Sequence, residues 1–350
     1  MRRGAATEDG RLTAIDALRG LALFGVLTVN LLTDFRVPLF QYLDQFHMHD
    51  GVANHAVDLA SGALLEGKAI VVFSLLFGAG LEARIERAPT TTTPPRVDAL
   101  RRLVALLALG LAHLTLLWNG DILTHYALTG LLALPFLGRP RALLGGAVAL
   151  LALHASPLPM PDTFPHGATL RAFTAEARAV YGHGTLRAIV AFRAEETVHY
   201  IAPLLATIAP RTLGLFLLGA WAWRRGVLRD PMRHGTFLGV IAAVGLVAGL
   251  TSTVGLIVAA YRATPLGPWN APLNALASVG TGLGYAAAFL RCWAFSGWRA
   301  VMTPLAPLGR MALSNYLTQS VVWGFVFYGY GLGMYGRMAS APAFALGLAL

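Results

Sequence analysis

Long apolar runs recur along this chain and are separated by short polar segments. The run at 15–32 is long enough to cross a bilayer, because about 20 helical residues span the ~30 Å of hydrocarbon. Continuous runs of this length predict helices, since the strands of a membrane β-barrel are shorter and alternate in polarity. About ten spans are predicted, at 15–32, 68–85, 100–118, 122–137, 141–155, 208–223, 237–261, 273–295, 308–330 and 341–350.

The last run, 341–350, has too few residues to cross a bilayer. Either the chain is a fragment of a longer protein, or this segment inserts only part of the way. We therefore predict an all-α, polytopic transmembrane helix bundle of about ten spans, with the last one incomplete in this chain. Residues 1–350 are expected to form a single integral membrane domain.

The composition supports a membrane protein. Hydrophobic residues make up 56% of the chain and charged residues 13%, whereas soluble domains carry roughly 25% charge. The single cysteine, Cys292, excludes an internal disulfide and a cysteine-based metal cluster. Arginine, alanine and glycine are abundant and Lys68 is the only lysine, a usage typical of a GC-rich bacterial genome. We therefore expect the plasma membrane of a bacterium.

The basic residues indicate an orientation. If the N-terminus is cytoplasmic and the spans alternate, most of the 27 basic residues fall in inside segments, as the positive-inside rule requires. Topology therefore accounts for the net charge of +10, and no nucleic-acid partner is predicted. Asp16 and Arg19, three apart at the inner end of the first span, are interpreted as a structural ion pair.

Two outside segments are long, at 34–67 and 156–210. The first contains His47, His49, Asp50 and His55, whose spacing matches no specific metal motif, so no metal site is predicted. The second is expected to be an extracytoplasmic loop with a charged amphipathic helix, which lies on the surface. Its charged residues are Glu176, Arg178, Arg187, Arg193, Glu195 and Glu196.

Polar residues cluster toward the outer ends of the spans, where they are costly and often functional. Asn30 and Asp34 are four apart and share a helix face. His113 lies about one turn below the outer turn, and Asp121 lies close across that turn. Asp121 would then orient the His113 imidazole as a base. In the alternative, Asp121 is an N-cap and His113 is a packing residue.

The ninth span carries a second group of polar residues that begins closer to the inside. Asn315 and Gln319 are four apart, and they either bind a substrate or form hydrogen bonds between helices. The string Gly280-Thr-Gly-Leu-Gly284 is similar to a dinucleotide fingerprint only in its letters, because no strand precedes it. Close helix packing explains these glycines better, together with Gly245 and Gly249.

Five segments resemble the YeiB-like membrane proteins, a family known as domain of unknown function 418. They lie in order over most of the chain, and their combination is specific although each one alone is weak. The segments are RLTAIDALRGLALFGVLTVNLL (11–32), GKAIVVFSLLFGAGL (67–81), RRLVALLALGLAHLTLLWNGDILTHYALTGLL (101–132), LGLFLLGAWAWRRGVL (213–228) and PLGRMALSNYLTQSVV (307–322).

That family is similar to a wider group of transmembrane acyltransferases that includes heparan-alpha-glucosaminide N-acetyltransferase. The resemblance implies an acyl donor such as acyl-CoA, used from the cytoplasm, and an extracytoplasmic acceptor such as a glycan. The wider group uses a histidine near the outer end of an early helix. Here Asn30 and Asp34 stand at that end, so His113 is the better-placed candidate.

The sequence therefore predicts an acyltransferase with His113 and Asp121 as catalytic residues and no tightly bound cofactor. The residues expected to hold donor or acceptor are Asn30, Asp34, Lys68, Tyr126, Asn315 and Gln319. The alternative is a transporter or exporter of a small anionic metabolite, with Lys68 and the polar residues of the spans as its site. A scaffold without any site is the third interpretation.

Overall fold

The computed structural model describes residues 2–39, 51–87, 94–158 and 166–349, with side chains from residue 13 onward. Within these ranges every regular element is a helix and no strand occurs, so the predicted all-α class is confirmed. The helices are α1 (Arg2–Asn30), α2 (Val52–Leu64), α3 (Lys68–Arg87), α4 (Pro95–Leu116), α5 (Leu123–Ala133), α6 (Pro140–His154), α7 (Gly167–His183), α8 (Leu186–Glu196), α9 (Ala202–Arg224), α10 (Gly235–Tyr261), α11 (Asn270–Ala275), α12 (Thr281–Cys292), α13 (Ser296–Met302), α14 (Ala306–Arg310), α15 (Ala312–Phe327) and α16 (Ser340–Ala349).

Among the described residues, six helical stretches are long and apolar enough to cross a membrane, which confirms a polytopic bundle. They are Thr13–Phe35, Val52–Arg87, Pro95–Leu116, Leu186–Arg224, Gly235–Tyr261 and Gly267–Cys292. The runs at 122–137, 141–155, 308–330 and 341–350 form shorter helices. The count of about ten spans and the cytoplasmic N-terminus stay predictions.

The two ends of the bundle differ in chemistry. One end holds the turn between α4 and α5 and is called the histidine end, after His113. At the opposite end α3 finishes at Arg87, α9 finishes at Arg224, and α6 begins beside Arg139. This is the arginine end. The predicted ion pair lies on α1, where Arg19 Nη1 is 2.8 Å from Asp16 Oδ1.

α9 is the central helix of the bundle and packs against α3 on one side and α6 on the other. Its contact with α3 is a backbone-to-backbone crossing. A Cβ added to Gly78 would overlap the carbonyl of Phe216, and one added to Gly219 would overlap the carbonyl of Leu75. Small residues allow this approach, which stabilises helix pairs in a membrane through van der Waals contact.

A second glycine crossing joins α10 and α12. A Cβ on Gly245 would lie 2.5 Å from the carbonyl oxygen of Gly280, and one on Gly284 would lie 2.9 Å from the nitrogen of Leu246. The glycine-rich string at 280–284 is therefore a helix-packing surface, as the sequence predicted.

The ninth predicted span is not continuous. Residues 308–330 were expected to form one helix, but α14 ends at Arg310 and α15 begins at Ala312. Met311 between them has φ −98° and ψ 22°, outside the helical region. Gly309 on α14 packs directly on the Asp16 carbonyl of α1. The break therefore lies near the Asp16–Arg19 pair, toward the arginine end.

The segment at 156–210 also differs from expectation. Its described part forms α7 and α8, and α8 continues into α9 through a π-helical turn, Thr197–Ile201. Two of the charged residues expected at the surface are buried, since Arg193 is 0% exposed and Glu196 is 3% exposed. The apolar residues around them explain this, because α7 and α8 pack their aromatic faces onto Phe35 and Tyr328 at the histidine end.

Candidate functional site

The structure brings His113 and Asp121 together across the α4–α5 turn. His113 Nδ1 lies 2.8 Å from Asp121 Oδ1, with both side chains shut off from solvent. The contact is close but not well aligned with the Nδ1–H direction. Asp121 also accepts backbone hydrogen bonds from Leu123 (3.1 Å) and Thr124 (2.7 Å). It therefore caps α5 and contacts His113 at the same time, so both interpretations of this residue hold.

Ser320 on α15 completes this arrangement. Its Oγ lies 2.8 Å from His113 Nε2 and 3.1 Å from the carbonyl oxygen of Tyr316. The one hydroxyl proton of Ser320 goes either to that carbonyl or to Nε2, and Nε2 is the acceptor in the tautomer that carries its proton on Nδ1, beside Asp121. Ser320, His113 and Asp121 thus form a buried hydroxyl–imidazole–carboxylate chain in which Nε2 can take a proton from a hydroxyl group.

Tyr316 holds this cluster together. Its hydroxyl accepts a 3.2 Å hydrogen bond from the backbone N–H of Ile122, and its ring lies 5.1 Å from the His113 ring. Trp118 stacks on Phe35 with a centroid distance of 4.2 Å. Phe35, just beyond α1, Trp118, just beyond α4, and Tyr316 on α15 therefore pack around the imidazole.

A second polar cluster lies beside the first. Glu196 Oε2 accepts hydrogen bonds of 2.6 Å from Asn119 Nδ2 and 2.6 Å from the Tyr181 hydroxyl. Burial raises the pKa of Tyr181 well above its usual value, so the phenol keeps its proton and donates it. Arg193 and Asp34 lie within electrostatic range of Glu196.

Arg193 ties α8 to the end of α4. Its Nη1 donates a 3.1 Å hydrogen bond to the carbonyl of Thr115, and its guanidinium lies 5.3 Å from the centroid of the Tyr328 ring. Its Nε and Nη2 have no hydrogen-bond partner among the described residues. The cation is stabilised by the nearby carboxylates and by the aromatic rings.

Lys68 and Tyr126 bond to residues other than His113 and Asp121. Lys68 is buried, and its Nζ donates a 2.8 Å hydrogen bond to the Gly62 carbonyl of α2. The Tyr126 hydroxyl lies 2.6 Å from Ser74 Oγ. Asn30 is half-buried at the end of α1. Their roles in substrate binding stay predictions.

The two amides of α15 form hydrogen bonds to backbone carbonyls. Asn315 Nδ2 donates to Leu308 at 3.2 Å, and Gln319 Nε2 donates to Leu27 on α1 at 3.0 Å. The Gln319 bond fits the interhelical interpretation. Its buried Oε1 has no hydrogen-bond partner among the described residues.

No group of three metal-binding side chains occurs in the part of the chain that the structure describes. His47, His49 and Asp50 lie outside the described residues. His55 forms a 2.7 Å hydrogen bond with the Tyr261 hydroxyl, which joins α2 to α10.

A basic cavity lies at the arginine end, between the start of α6 and the end of α9. Its volume is about 720 Å³, and four of its lining residues are arginines, Arg139, Arg141, Arg224 and Arg225. Exposed guanidinium groups in such an arrangement attract phosphate groups.

Ser320 and Glu196 were not predicted as site residues. Ser320 was visible in the sequence only as one of several polar residues in the ninth span. Glu196 belongs to the segment that was interpreted as a surface helix. Neither has a local signal that relates it to His113, because both are far from it along the chain.

Comparison with known proteins gives relatives over almost the whole chain. The family described as "Protein of unknown function (DUF418)" matches residues 222–350. The "Uncharacterized protein YxaH" of Bacillus subtilis is 32% identical over 97% of this chain and 87% of its own length. The "Uncharacterized protein YeiB" of Escherichia coli is 29% identical over 96% of this chain and 88% of its own length. No solved structure matches the chain.

Proposed function

This chain belongs to the DUF418, or YeiB-like, family of membrane proteins, and we propose that it is a membrane acyltransferase with His113 as its general base. The observation that carries this proposal is the buried chain of Ser320, His113 and Asp121. A base held next to a carboxylate inside an apolar bundle is the group that acyl transfer to a hydroxyl requires.

The proposed step transfers an acyl group from a thioester to a hydroxyl or amine. Nε2 of His113 takes the acceptor's proton as the acceptor attacks the thioester carbonyl. The carbon–sulfur bond then breaks, and the departing thiolate takes the proton from the imidazolium. Asp121 stabilises the imidazolium between these events. Ser320 occupies the position beside Nε2 that the acceptor hydroxyl would take.

The donor is proposed to be acyl-CoA, bound as a substrate and not as a resident cofactor. The basic cavity at the arginine end supports this, because its guanidinium groups match the phosphates of the nucleotide. The pantetheine arm would then extend along the bundle toward His113. Asn30, Asp34, Lys68, Tyr126, Asn315 and Gln319 are proposed to hold the donor or the acceptor.

The acceptor is proposed to be an extracytoplasmic glycan, reached from the histidine end. The compartment that fits is a bacterial plasma membrane, where the cytoplasm supplies the thioester and the acceptor lies on the other side.

The test uses the purified protein in proteoliposomes, with radiolabelled acetyl-CoA as donor and glucosamine as acceptor. Acetyl-CoA should also raise the melting temperature of the protein in detergent, as binding linkage requires. His113→Ala should lose acetyl transfer and keep the melting-temperature rise. His199→Ala is the matched control, since His199 is exposed and its described hydrogen bond is to the Glu195 carbonyl.

Full acetyl transfer by His113→Ala would remove this residue from the chemistry. Absence of any melting-temperature rise with acetyl-CoA would contradict the choice of donor. Counterflow of an unmodified metabolite across the vesicle membrane would instead support the transporter.

A further inference from the structure

Arg211 stands inside a helical stretch that is long and apolar enough to span a membrane. It lies on α9 within Leu186–Arg224 and is half-buried. No described carboxylate forms an ion pair with it. A charged side chain in such a position costs at least ~2.5 kcal/mol and marks a site by default. A bound anion is therefore expected to neutralise the charge of Arg211.

Helix packing places Arg211 against α6. A Cβ on Gly214, three residues further along α9, would lie 3.0 Å from Leu151 and 3.3 Å from Leu150. Residues three apart share a helix face, and α6 and α9 run in opposite directions. Arg211 is therefore level with His154, the last residue of α6, whose imidazole lies within range of its charge.

α5 supplies further polar groups on the other side. His125 Nε2 lies 2.9 Å from Thr212 Oγ1, which fixes α5 next to Arg211. The Arg211 charge also acts on His125 and on the hydroxyl of Tyr126. Arg211 therefore lies on α9 between the end of α6 that carries His154 and the start of α5 that carries His125.

The protein surface around Arg211 is apolar. Leu153, beside His154, is 48% exposed, and Leu128 on α5 is 49% exposed. Both lie on surfaces that face lipid if the bundle spans a membrane. Pro210 precedes Arg211 and has no N–H, so the carbonyl of Ala206 lacks its usual partner within the helix.

We propose that Arg211 and His154 form a binding site for a phosphate group at the histidine end of the bundle, with His125 as the residue that holds α5 beside it. A planar guanidinium binds two phosphate oxygens at once, and the His154 imidazole offers a donor to a further oxygen, whereas the His125 N–H is bonded to Thr212. The phosphate belongs either to a lipid headgroup or to a soluble phosphate ester. The site does not depend on acyl transfer.

The test is a melting-temperature titration of the protein in a neutral detergent at constant ionic strength. One arm adds phosphatidylglycerol, the second adds glycerol 3-phosphate, and the third adds diacylglycerol with the same acyl chains. We expect a rise that scales with ligand in the first arm or the second, as linkage requires. A rise in the first arm alone identifies a lipid headgroup, and a rise in the second identifies a soluble ester.

Arg211→Gln should need at least ten times more ligand for the same rise. Arg262→Gln is the matched control at the same end of the bundle, because Arg262 is exposed, and it should match the wild type. If Arg211→Gln is not recovered as folded protein, Arg211→Lys keeps the charge without the planar fork and should bind at least threefold more weakly.

Three results would overturn the proposal. The first is no rise with either phosphate compound. The second is an equal rise with diacylglycerol, which has no phosphate. The third is wild-type affinity in the Arg211 variant that folds.

Discussion

Asn119 donates a 2.6 Å hydrogen bond to Glu196, 77 positions further along the chain. This bond joins the turn that carries Asp121 to the helix that covers it. Arg193, one turn before Glu196, bonds to the carbonyl of Thr115 at the end of α4. The two contacts hold α8 over His113 and account for the lack of solvent at the imidazole.

Replacement of Arg193 by methionine should destabilise the protein. Arg193→Met keeps most of the side-chain volume but removes the hydrogen bond to Thr115, the contact with the Tyr328 ring and the positive charge within range of the buried Glu196 and Asp34. We expect the free energy of unfolding to fall by about 3 kcal/mol, measured by chemical unfolding in detergent. Arg187→Met is the control on the same helix, because Arg187 is exposed, and it should change stability by less than ~0.5 kcal/mol. Equal stability of the two variants would contradict the anchoring role.

Asp121→Asn separates the two roles of this residue. Asparagine caps a helix about as well as aspartate, so stability should change by less than ~1 kcal/mol. It carries no charge to stabilise an imidazolium, so acetyl transfer should fall by roughly 100-fold or more. Melting temperature and transfer rate are measured on the same preparation. A transfer rate within threefold of the wild type would exclude Asp121 from the chemistry.

Ser320→Ala tests whether the serine is itself acylated. Ser320 lies inside α15, where the backbone N–H groups are bonded within the helix and leave no donors for an oxyanion. We therefore expect the variant to keep acetyl transfer within about tenfold of the wild type. Intact-mass measurement after reaction should show no acetyl group on the wild-type protein. Complete loss of transfer, or an acetylated Ser320, would assign it as the nucleophile.

The close glycine contact between α9 and α3 predicts that two Gly→Ala substitutions differ in their effect on stability. Gly219→Ala adds a methyl group that meets the backbone carbonyl of Leu75, which cannot rotate away. It should lower stability by about 1–3 kcal/mol. Gly255→Ala on α10 meets nothing within 4 Å and should be neutral or stabilising by up to ~1 kcal/mol. Chemical unfolding in detergent measures the free energy of unfolding of both variants. The prediction fails if Gly219→Ala is as stable as Gly255→Ala.

The sequence predicts the apolar helices because each is a long apolar run, and it predicts the His113–Asp121 contact because a short turn keeps the two residues near. The same reasoning does not reach Ser320, which approaches His113 only through the packing of α15 on α4. Nothing local to 308–330 indicates whether Ser320 or Gln319 faces His113.

The burial of Arg193 and Glu196 could not be predicted from the sequence for a different reason. Charged residues on a polar segment outside the spans predict a surface helix, since burying isolated charges is costly. Here the charges are buried because they compensate one another, together with Asn119 and Tyr181. That compensation depends on side chains from other helices and is invisible in the segment itself. The break at Met311 is similar, because the runs on either side of it are equally apolar.

The helical path of α8, the π-helical turn and α9 is continuous over the 39 residues Leu186–Arg224, with no loop between them. A bend in this stretch is expected at Pro210, because its missing N–H leaves the Ala206 carbonyl without its helical partner. Glu196, which bonds to Asn119, and Gly219, which crosses α3, therefore lie on opposite sides of that proline.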